Sequence, residues 1–508
     1  MSKSEDLTKG SLLTKNTFFS LLAQFITIIV AIISIPILIE SLGVEGFGIL
    51  TIAWLITGYF GMLDLGVGRA LTKILSEKLG REELDDIAEN IWTALILCLV
   101  LGLIGLCLLA SISPYLVNNI FIIESFSVDD IEVSLYLLAL AVPVIILSAA
   151  LSGILQSYQR FDLVNIIRAP AGSFIFLGPV IALSFSEDIT IVILSLVITR
   201  FIECVMYFIF CIRIVPQIMN GIKPKKSLFG QFIRFGSWMT ISNILGPILI
   251  YLDRFLIASV ISVSAVSFYA TSHEIIQRLM ILPGAIVGVV FPALGALLGR
   301  NDTKEASLLL FKGVKFTYIA ITPIIIILYI FAEEGLNLWL GPEFSSQGST
   351  ILKTLSIGAL IASLSYFPFA LLHSAGRPDK TAILHVIEVP IYICLAWVLI
   401  TKFGIQGAAF AWVIRVFFDT MALFIMARSE LNFNLQVKNV LEAVAIVLMV
   451  LFISELIPQY IYSQLIYCII ILSFVLLYFW NRILNLDERD DIIIFTKKLI
   501  LFKNKNYQ

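Results

Sequence analysis

The sequence predicts an all-α membrane protein of about fourteen transmembrane helices, and three observations carry that prediction. The chain is 59% hydrophobic and only 14% charged over 508 residues, against about 25% charged residues in a soluble globular protein, so lipid must solvate much of its surface. Fourteen apolar stretches run along it, each near the roughly 20 residues that a helix needs to cross the hydrocarbon. Lys and Arg also fall in alternate connecting segments.

The spans lie near residues 17–39, 47–66, 91–111, 134–156, 168–185, 190–212, 235–260, 265–292, 314–332, 351–373, 382–401, 407–427, 440–457 and 464–482. The first apolar run, Phe18 to Ile39, is too long for a signal-peptide core and has no small-residue cleavage site, so it reads as a permanent helix. With the N-terminus inside, 28 of the 34 Lys and Arg residues lie in the N-terminal tail, in loops 69–90, 157–168, 213–234, 293–315, 374–381 and 428–439, and in the C-terminal segment. Only Lys353 and Lys402 fall on the other side. Basic residues concentrate in cytoplasmic loops, and a miscount of one span would invert every later loop. The regularity therefore supports fourteen spans with both termini cytoplasmic. Among the polar ends, Ile492, Phe495, Leu499 and Phe502 share one helical face of a Lys-bearing tail, a pattern suited to an interfacial helix on an anionic leaflet.

Other classes are poorly served. No loop could hold an extramembrane catalytic domain, and neither a Gly-rich phosphate loop nor an HExxH motif occurs. The six cysteines lie in or beside spans without a CxxC or Cys/His cluster, which indicates neither a disulfide framework nor a metal site. The expectation is a chain that is not an enzyme and carries no cofactor.

An internal repeat suggests two lobes. Leu42-Gly43-Val44-Glu45-Gly46-Phe47-Gly48 joins spans 1 and 2, and Ile261 to Ser267 joins spans 7 and 8 with small residues at corresponding positions. An offset of six spans preserves topology and places the repeat axis along the membrane normal. Phe403 to Ala409, between spans 11 and 12, shows a similar pattern and could equally reflect tight turns. The expected organisation is an N-terminal lobe at 1–212 (helices 1–6), a cytoplasmic linker at 213–234, a C-terminal lobe at 235–427 (helices 7–12), helices 13–14 within 440–482, and a cytoplasmic tail at 485–508. Prolines interrupt many spans; span 8 holds Pro283 and Pro292 with Gly284 and Gly288, and is expected to bend.

Four arginines, Arg200, Arg254, Arg278 and Arg415, sit inside spans, at roughly 2.5–3.5 kcal/mol each on insertion scales. A hydrated interior that handles something charged accounts for them. Glu203, Glu274 and Asp419 stand three or four residues from Arg200, Arg278 and Arg415, on shared helix faces where they can pair. Asp253 and Arg254 are adjacent and so point about 100° apart, towards different partners. Asp64, Arg69 and Lys73 trail down span 2, and His385 shares a face of span 11 with Glu388. Arg200–Glu203 reads as a neutralised pair holding helices together, and His273, beside Glu274, as structural. Arginine matches phosphate oxygens through two parallel hydrogen bonds, which makes Arg254, Arg278, Arg69 and Arg415 the candidate substrate contacts. Asp64, Asp253, Glu274, Glu388 and Asp419 are candidates for ion coupling or charge pairing.

Several stretches resemble those of bacterial polysaccharide flippases of the O-antigen type, within the multidrug/oligosaccharidyl-lipid/polysaccharide exporter superfamily. They are Tyr251-Leu252-Asp253-Arg254-Phe255-Leu256-Ile257, the Leu42–Gly48 turn followed by Leu63-Asp64-Leu65-Gly66 and Arg69, and Gly376-Arg377-Pro378 through Ala409. The resemblance covers nearly the whole chain through short motifs. It implies two six-helix lobes around a central cavity with two extra helices, in the bacterial inner membrane. It further implies transfer of undecaprenyl-diphosphate-linked oligosaccharides from the cytoplasmic to the periplasmic leaflet by alternating access, with the diphosphate at Arg254 and its neighbours, proton or sodium coupling, and polysaccharide polymerase or assembly proteins as partners. A multidrug antiporter on the same fold should favour acids and aromatics over buried arginines. A polysaccharide polymerase or glycosyltransferase would need a catalytic periplasmic loop. A peptidoglycan-precursor flippase shares both fold and chemistry.

Overall fold

The computed structural model describes residues 10–62, 67–80, 86–158, 160–225, 229–230, 248–249, 251–300, 302–431, 437–456, 460–486 and 488–489. Every regular element among them is helical. Lipid offers no hydrogen bonds, so each backbone N–H and C=O in a span must be satisfied within its own segment. Eleven of the described helices are long and apolar enough to cross a membrane. Helical residues 26–60 count once among them although they turn at Gly43, and Val444–Ser454 is a shorter apolar helix.

The chain divides into two compact units, residues 1–270 with 385–408 and residues 271–384 with 409–508. The first holds α1 (Gly10–Met62), α2 (Val67–Gly80), α3 (Ile87–Tyr115, ending in the π turn Leu116–Ile120), α4 (Val128–Ser157), α5 (Phe161–Leu183) and α6 (Ile189–Ile214). It also holds α7, helical over 251–260, the start of α8 (Val263–Leu279) and most of α13 (Pro378–Phe403). Helix α4 packs against α1, α2, α3 and α6. On α3, Ile91, Ala94, Leu95, Cys98, Gly102, Gly105 and Leu109 form a buried stripe at helical spacing, while Leu99, Leu103, Ile104 and Leu108 are exposed to the lipid. The two glycines set the α3–α4 distance. A Cβ on Gly102 would lie 2.5 Å from Pro143 Cα, and one on Gly105 2.9 Å from Val142 Cγ1. Small residues give membrane helices this closeness, and dispersion then replaces the missing hydrophobic drive.

The second unit contains the rest of α8, then α9 (Ile281–Gly299), α10 (Thr303–Ile330), α11 (Ala332–Leu340), α12 (Pro342–Ser374), α14 (Ile405–Leu431), α15 (Val437–Ser454) and α16 (Ile461–Tyr478, closed by the π turn Phe479–Ile483). Here α12 is central and packs on α9, α10 and α11. Gly313 lies under the Phe367 ring and Gly358 under Trp412, each with room for no Cβ. The expected bend of span 8 is a break at Met280, between α8 and α9. Pro283 has no N–H for the Leu279 carbonyl, and Gly284 resumes the ladder by donating to the Met280 carbonyl at 3.2 Å.

Several helices run beyond their apolar cores. Segments 69–90 and 293–315 read as loops by apolarity alone, yet α2 and the first turns of α10 occupy much of them. Both bury an apolar face: Leu71, Ile74 and Leu75 of α2, and Ala306, Leu310 and Val314 of α10, are buried, while Ser76 of α2 and Lys304, Glu305 and Lys312 of α10 are exposed. The anticipated interfacial helix falls on residues 491–508, outside the described residues. Just before it, Glu488 binds Lys315 Nζ at 2.6 Å and accepts the Asn485 N–H at 2.9 Å, pinning the chain end to α10.

Within the first unit, the α1 turn is tied shut. Gly43 takes φ 70°, a left-handed conformation that favours glycine. Ser267 Oγ donates to the Val44 carbonyl at 2.6 Å. A Cβ on Gly48 would fall 2.2 Å from the Val263 carbonyl oxygen. Segment 121–126 laces the same region: the Ile122 N–H donates to Ala258 O, the Val263 N–H donates to Ile122 O, and the Glu45 carboxylate accepts the N–H groups of Glu124 and Ser125 at 2.6 and 2.7 Å.

This packing separates two glycines of one helix. Overpacking costs about 1–3 kcal/mol, so Gly48→Ala, against backbone, should lower the thermal midpoint of the purified protein in detergent by several degrees. Gly58→Ala would meet only the Tyr251 hydroxyl, at 3.5 Å, and should be neutral or slightly stabilising. Equal midpoints for the two variants would show that the turn is looser than described.

Candidate functional site

Asp253 and Arg254 lie in the first turn of the described 251–260 stretch of α7, and the structure gives them different partners. Asp253 is fully buried. One carboxylate oxygen accepts the Tyr269 hydroxyl from α8, and the other accepts the Arg254 backbone N–H at 2.8 Å. A buried carboxylate needs such donors, because desolvation otherwise penalises its charge heavily. The described contact of the Arg254 side chain is with an aromatic ring. Its guanidinium lies 5.3 Å from the Tyr251 ring centre, a cation–π arrangement. Arg254 is only 5% exposed, and its Nε has no hydrogen-bond partner among the described residues. An unsatisfied donor on a buried guanidinium is costly, and an anionic ligand would satisfy it. Sequence reasoning missed Tyr269: it stands sixteen residues from Asp253 across the α7–α8 turn, and no helical spacing links the two.

The other candidates are spread over the molecule. Glu274 and Arg278 pair one turn apart on α8, Oε1 to Nη2 at 2.6 Å, with about a third of each side chain exposed. They stand just before the break at Met280. The neighbouring His273 is fully buried, sits edge-on to Trp412 and approaches Gln277, so its surroundings are those of a packing residue. Arg415 and Asp419 are half-buried on α14, as are His385 and Glu388 on α13. Asp64 and the Arg69 side chain lie outside the described residues. Arg200 pairs with Glu203 at 2.8 Å, both on α6; since one helix carries both groups, the pair does not bridge two helices.

Among the described residues, Arg278 and Arg200 are paired within their own helices, while Arg254 is the most deeply buried of these arginines and keeps an Nε without a hydrogen-bond partner. Such a site can bind an anion.

The chain is similar to several known proteins. The sequence model of a family described as "Polysaccharide biosynthesis protein" matches residues 13–298. A "Putative O-antigen transporter" of Shigella flexneri is 30% identical over 409 residues, 80% of this chain and 96% of that protein. A "Probable flippase AglR" of Haloferax volcanii is 24% identical over 76% of this chain and 77% of that one. Among solved structures, a lipid II flippase MurJ in an inward closed conformation superposes with a TM-score of 0.69 at 16% identity, covering 95% of this chain and all of that one. An inward-facing multidrug resistance MATE family transporter also reaches 0.69, at 13% identity over 79% of this chain and 94% of its own. At these identities the structural likeness shows the fold.

The Asp253 environment yields a measurable outcome. Tyr269→Phe removes one donor from a buried carboxylate, a loss of about 1–3 kcal/mol. A lowered thermal midpoint at unchanged helical content is expected, and an unchanged midpoint would mean that the hydroxyl is not a significant partner of Asp253.

Proposed function

Because the chain belongs to the polysaccharide biosynthesis protein family, we propose that it is a flippase for undecaprenyl-diphosphate-linked oligosaccharide repeat units, of O-antigen or a similar surface polysaccharide. It is a transport protein rather than an enzyme, in keeping with the transporter and flippase names of its relatives. The observation that supports this reading best is Arg254, a buried guanidinium with an open donor beside an acid already committed to Tyr269. A diphosphate is a matching ligand, because charge-assisted bonds to a planar guanidinium are both strong and directional. Arg278, Arg69 and Arg415 are the further cationic contacts in this proposal. Glu274, Glu388, Asp419, Asp64 and Asp253 are the carboxylates that pair with them or couple transport to protons or sodium.

The proposed topology has fourteen spans in the inner membrane, with both termini cytoplasmic. Helices 1–6 and 7–12 form lobes at 1–212 and 235–427, and two helices follow within 440–482. In that frame the tied α1 turn lies on the periplasmic side, and release of cargo requires the Val44–Ser267 and Gly48–Val263 contacts to part. Alternating access by rocking of one lobe on the other would do this. Transport of a peptidoglycan precursor is the second reading, favoured by the fold likeness to the lipid II flippase over 95% of the chain. Polysaccharide polymerase or assembly proteins would receive the product.

Complementation separates these readings. In cells lacking an O-antigen-type flippase, the wild-type chain should restore surface glycan, whereas rescue only of cells lacking a lipid II flippase would favour the second reading. Arg254→Ala, at matched membrane abundance, should fail, since a hydrogen bond to a charged group is worth about 1.5–3 kcal/mol. Arg254→Lys should restore part of the display, because lysine lacks the planar fork. Full display by Arg254→Ala would remove this residue from the site. In the same assay Glu274→Gln/Arg278→Gln should insert normally but deliver no glycan; restored delivery would mark the pair as structural.

Orientation is tested independently of transport. Reporter fusions after Ser186, after Asn220 and at the C-terminus should read periplasmic, cytoplasmic and cytoplasmic. A periplasmic C-terminus would overturn the fourteen-span topology.

A further inference from the structure

The first unit contains a second polar feature, distinct from Arg254. A cavity of about 640 Å³ opens among α2, α4, α5 and α6, within the roughly 300–1,000 Å³ typical of small-molecule sites. Gly68, Gly153 and Gly172 form part of its wall. Ser148, Ser152 and Gln156 line it at spacings of four, one face of α4, and Gln156 Nε2 donates to Ser152 Oγ at 3.0 Å. Arg200, Glu203 and Tyr207 line it at spacings of three and four, one face of α6, and Arg168 reaches it from α5. The Arg200–Glu203 pair is only 19% and 11% exposed.

This wall is hard to explain as packing. An ion pair within one helix joins no two helices, and each charged group inside a span carries an insertion penalty. A purely structural pair would be closed in by neighbouring side chains; this one faces a cavity edged by hydroxyls, an amide and a second arginine. The lining mixes donors and acceptors. Two guanidiniums and an amide donate, a carboxylate accepts, and hydroxyls do both. A phosphate offers only acceptors at neutral pH and would meet the Glu203 carboxylate. A sugar ring offers hydroxyls that both give and take hydrogen bonds, and so matches every group in the wall. We propose that this cavity is a saccharide-binding subsite for one or two neutral sugar rings, with Glu203 and Arg200 as the specificity-determining residues. The proposal rests on the reading of the chain as a carrier of lipid-linked glycan, and it adds a place where the glycan itself is recognised, apart from the diphosphate.

The test uses the full-length protein in lipid nanodiscs and saturation-transfer NMR, with the methyl glycosides of glucose, galactose and mannose and with N-acetylglucosamine as probes. At least one probe should bind saturably in the millimolar range. Glu203→Gln, nearly isosteric, should weaken it about tenfold. Ala149→Phe, which fills the cavity from α4, should abolish it. Inorganic phosphate and pyrophosphate should not displace it. The proposal is overturned if no probe saturates, if both folded variants bind as the wild type does, or if phosphate competes, which would make the cavity an anion site. Glycan display keeps the two readings apart. Normal display by Ala149→Phe would sink the subsite and leave the flippase standing. Saccharide binding by a protein that complements no flippase-deficient strain would do the reverse.

Discussion

Hydrocarbon supplies no hydrogen bonds and no counter-ions, so every charge buried in this bundle must find its answer in the chain itself. The first unit shows two answers within adjacent residues. Asp253 is satisfied by a tyrosine hydroxyl and by a backbone N–H. Arg254 is left with an aromatic face and an open Nε. The carboxylate thus takes its described donors from a side chain and from backbone.

The same constraint shapes the packing. Without a hydrophobic drive between helices in lipid, contact depends on how closely backbones can approach. Gly102 and Gly105 bring α3 onto α4, and Gly313 and Gly358 bring large rings of neighbouring helices against α10 and α12. These close contacts are static. The break at Met280 is of another kind, because Pro283 removes a ladder hydrogen bond one turn after the Glu274–Arg278 pair. Rigid small-residue seams and a weakened helix next to an exposed ion pair divide the molecule into parts that hold and a part that can yield.

Much of this was legible in the sequence where helical periodicity relates the residues. The intrahelical partners of Arg200 and Arg278 follow from spacings of three and four, the divergence of Asp253 and Arg254 from adjacency, and the break in span 8 from its proline. What was not legible depends on contacts between helices. Tyr269 reaches Asp253 across a turn. The cavity beside Arg200 is lined from four helices, and no single segment announces it. Apolarity also understated helix length, since α2 and the start of α10 bury one face only and look like polar loops.

The lacing of the α1 turn bears on how the protein is made. Glu45 is clasped by backbone some eighty residues later, and Val44 by Ser267 more than two hundred residues later. A membrane chain is threaded from the ribosome in order, so the hairpin of α1 enters the bilayer long before either clasp has been synthesised. Glu45 can take its two backbone donors once residues 124 and 125 emerge, but Val44 stays without its clasp until Ser267 follows. The nascent chain must therefore wait with that end unfastened, and truncation anywhere before α8 leaves a product that insertion machinery can place but that cannot be buttoned closed.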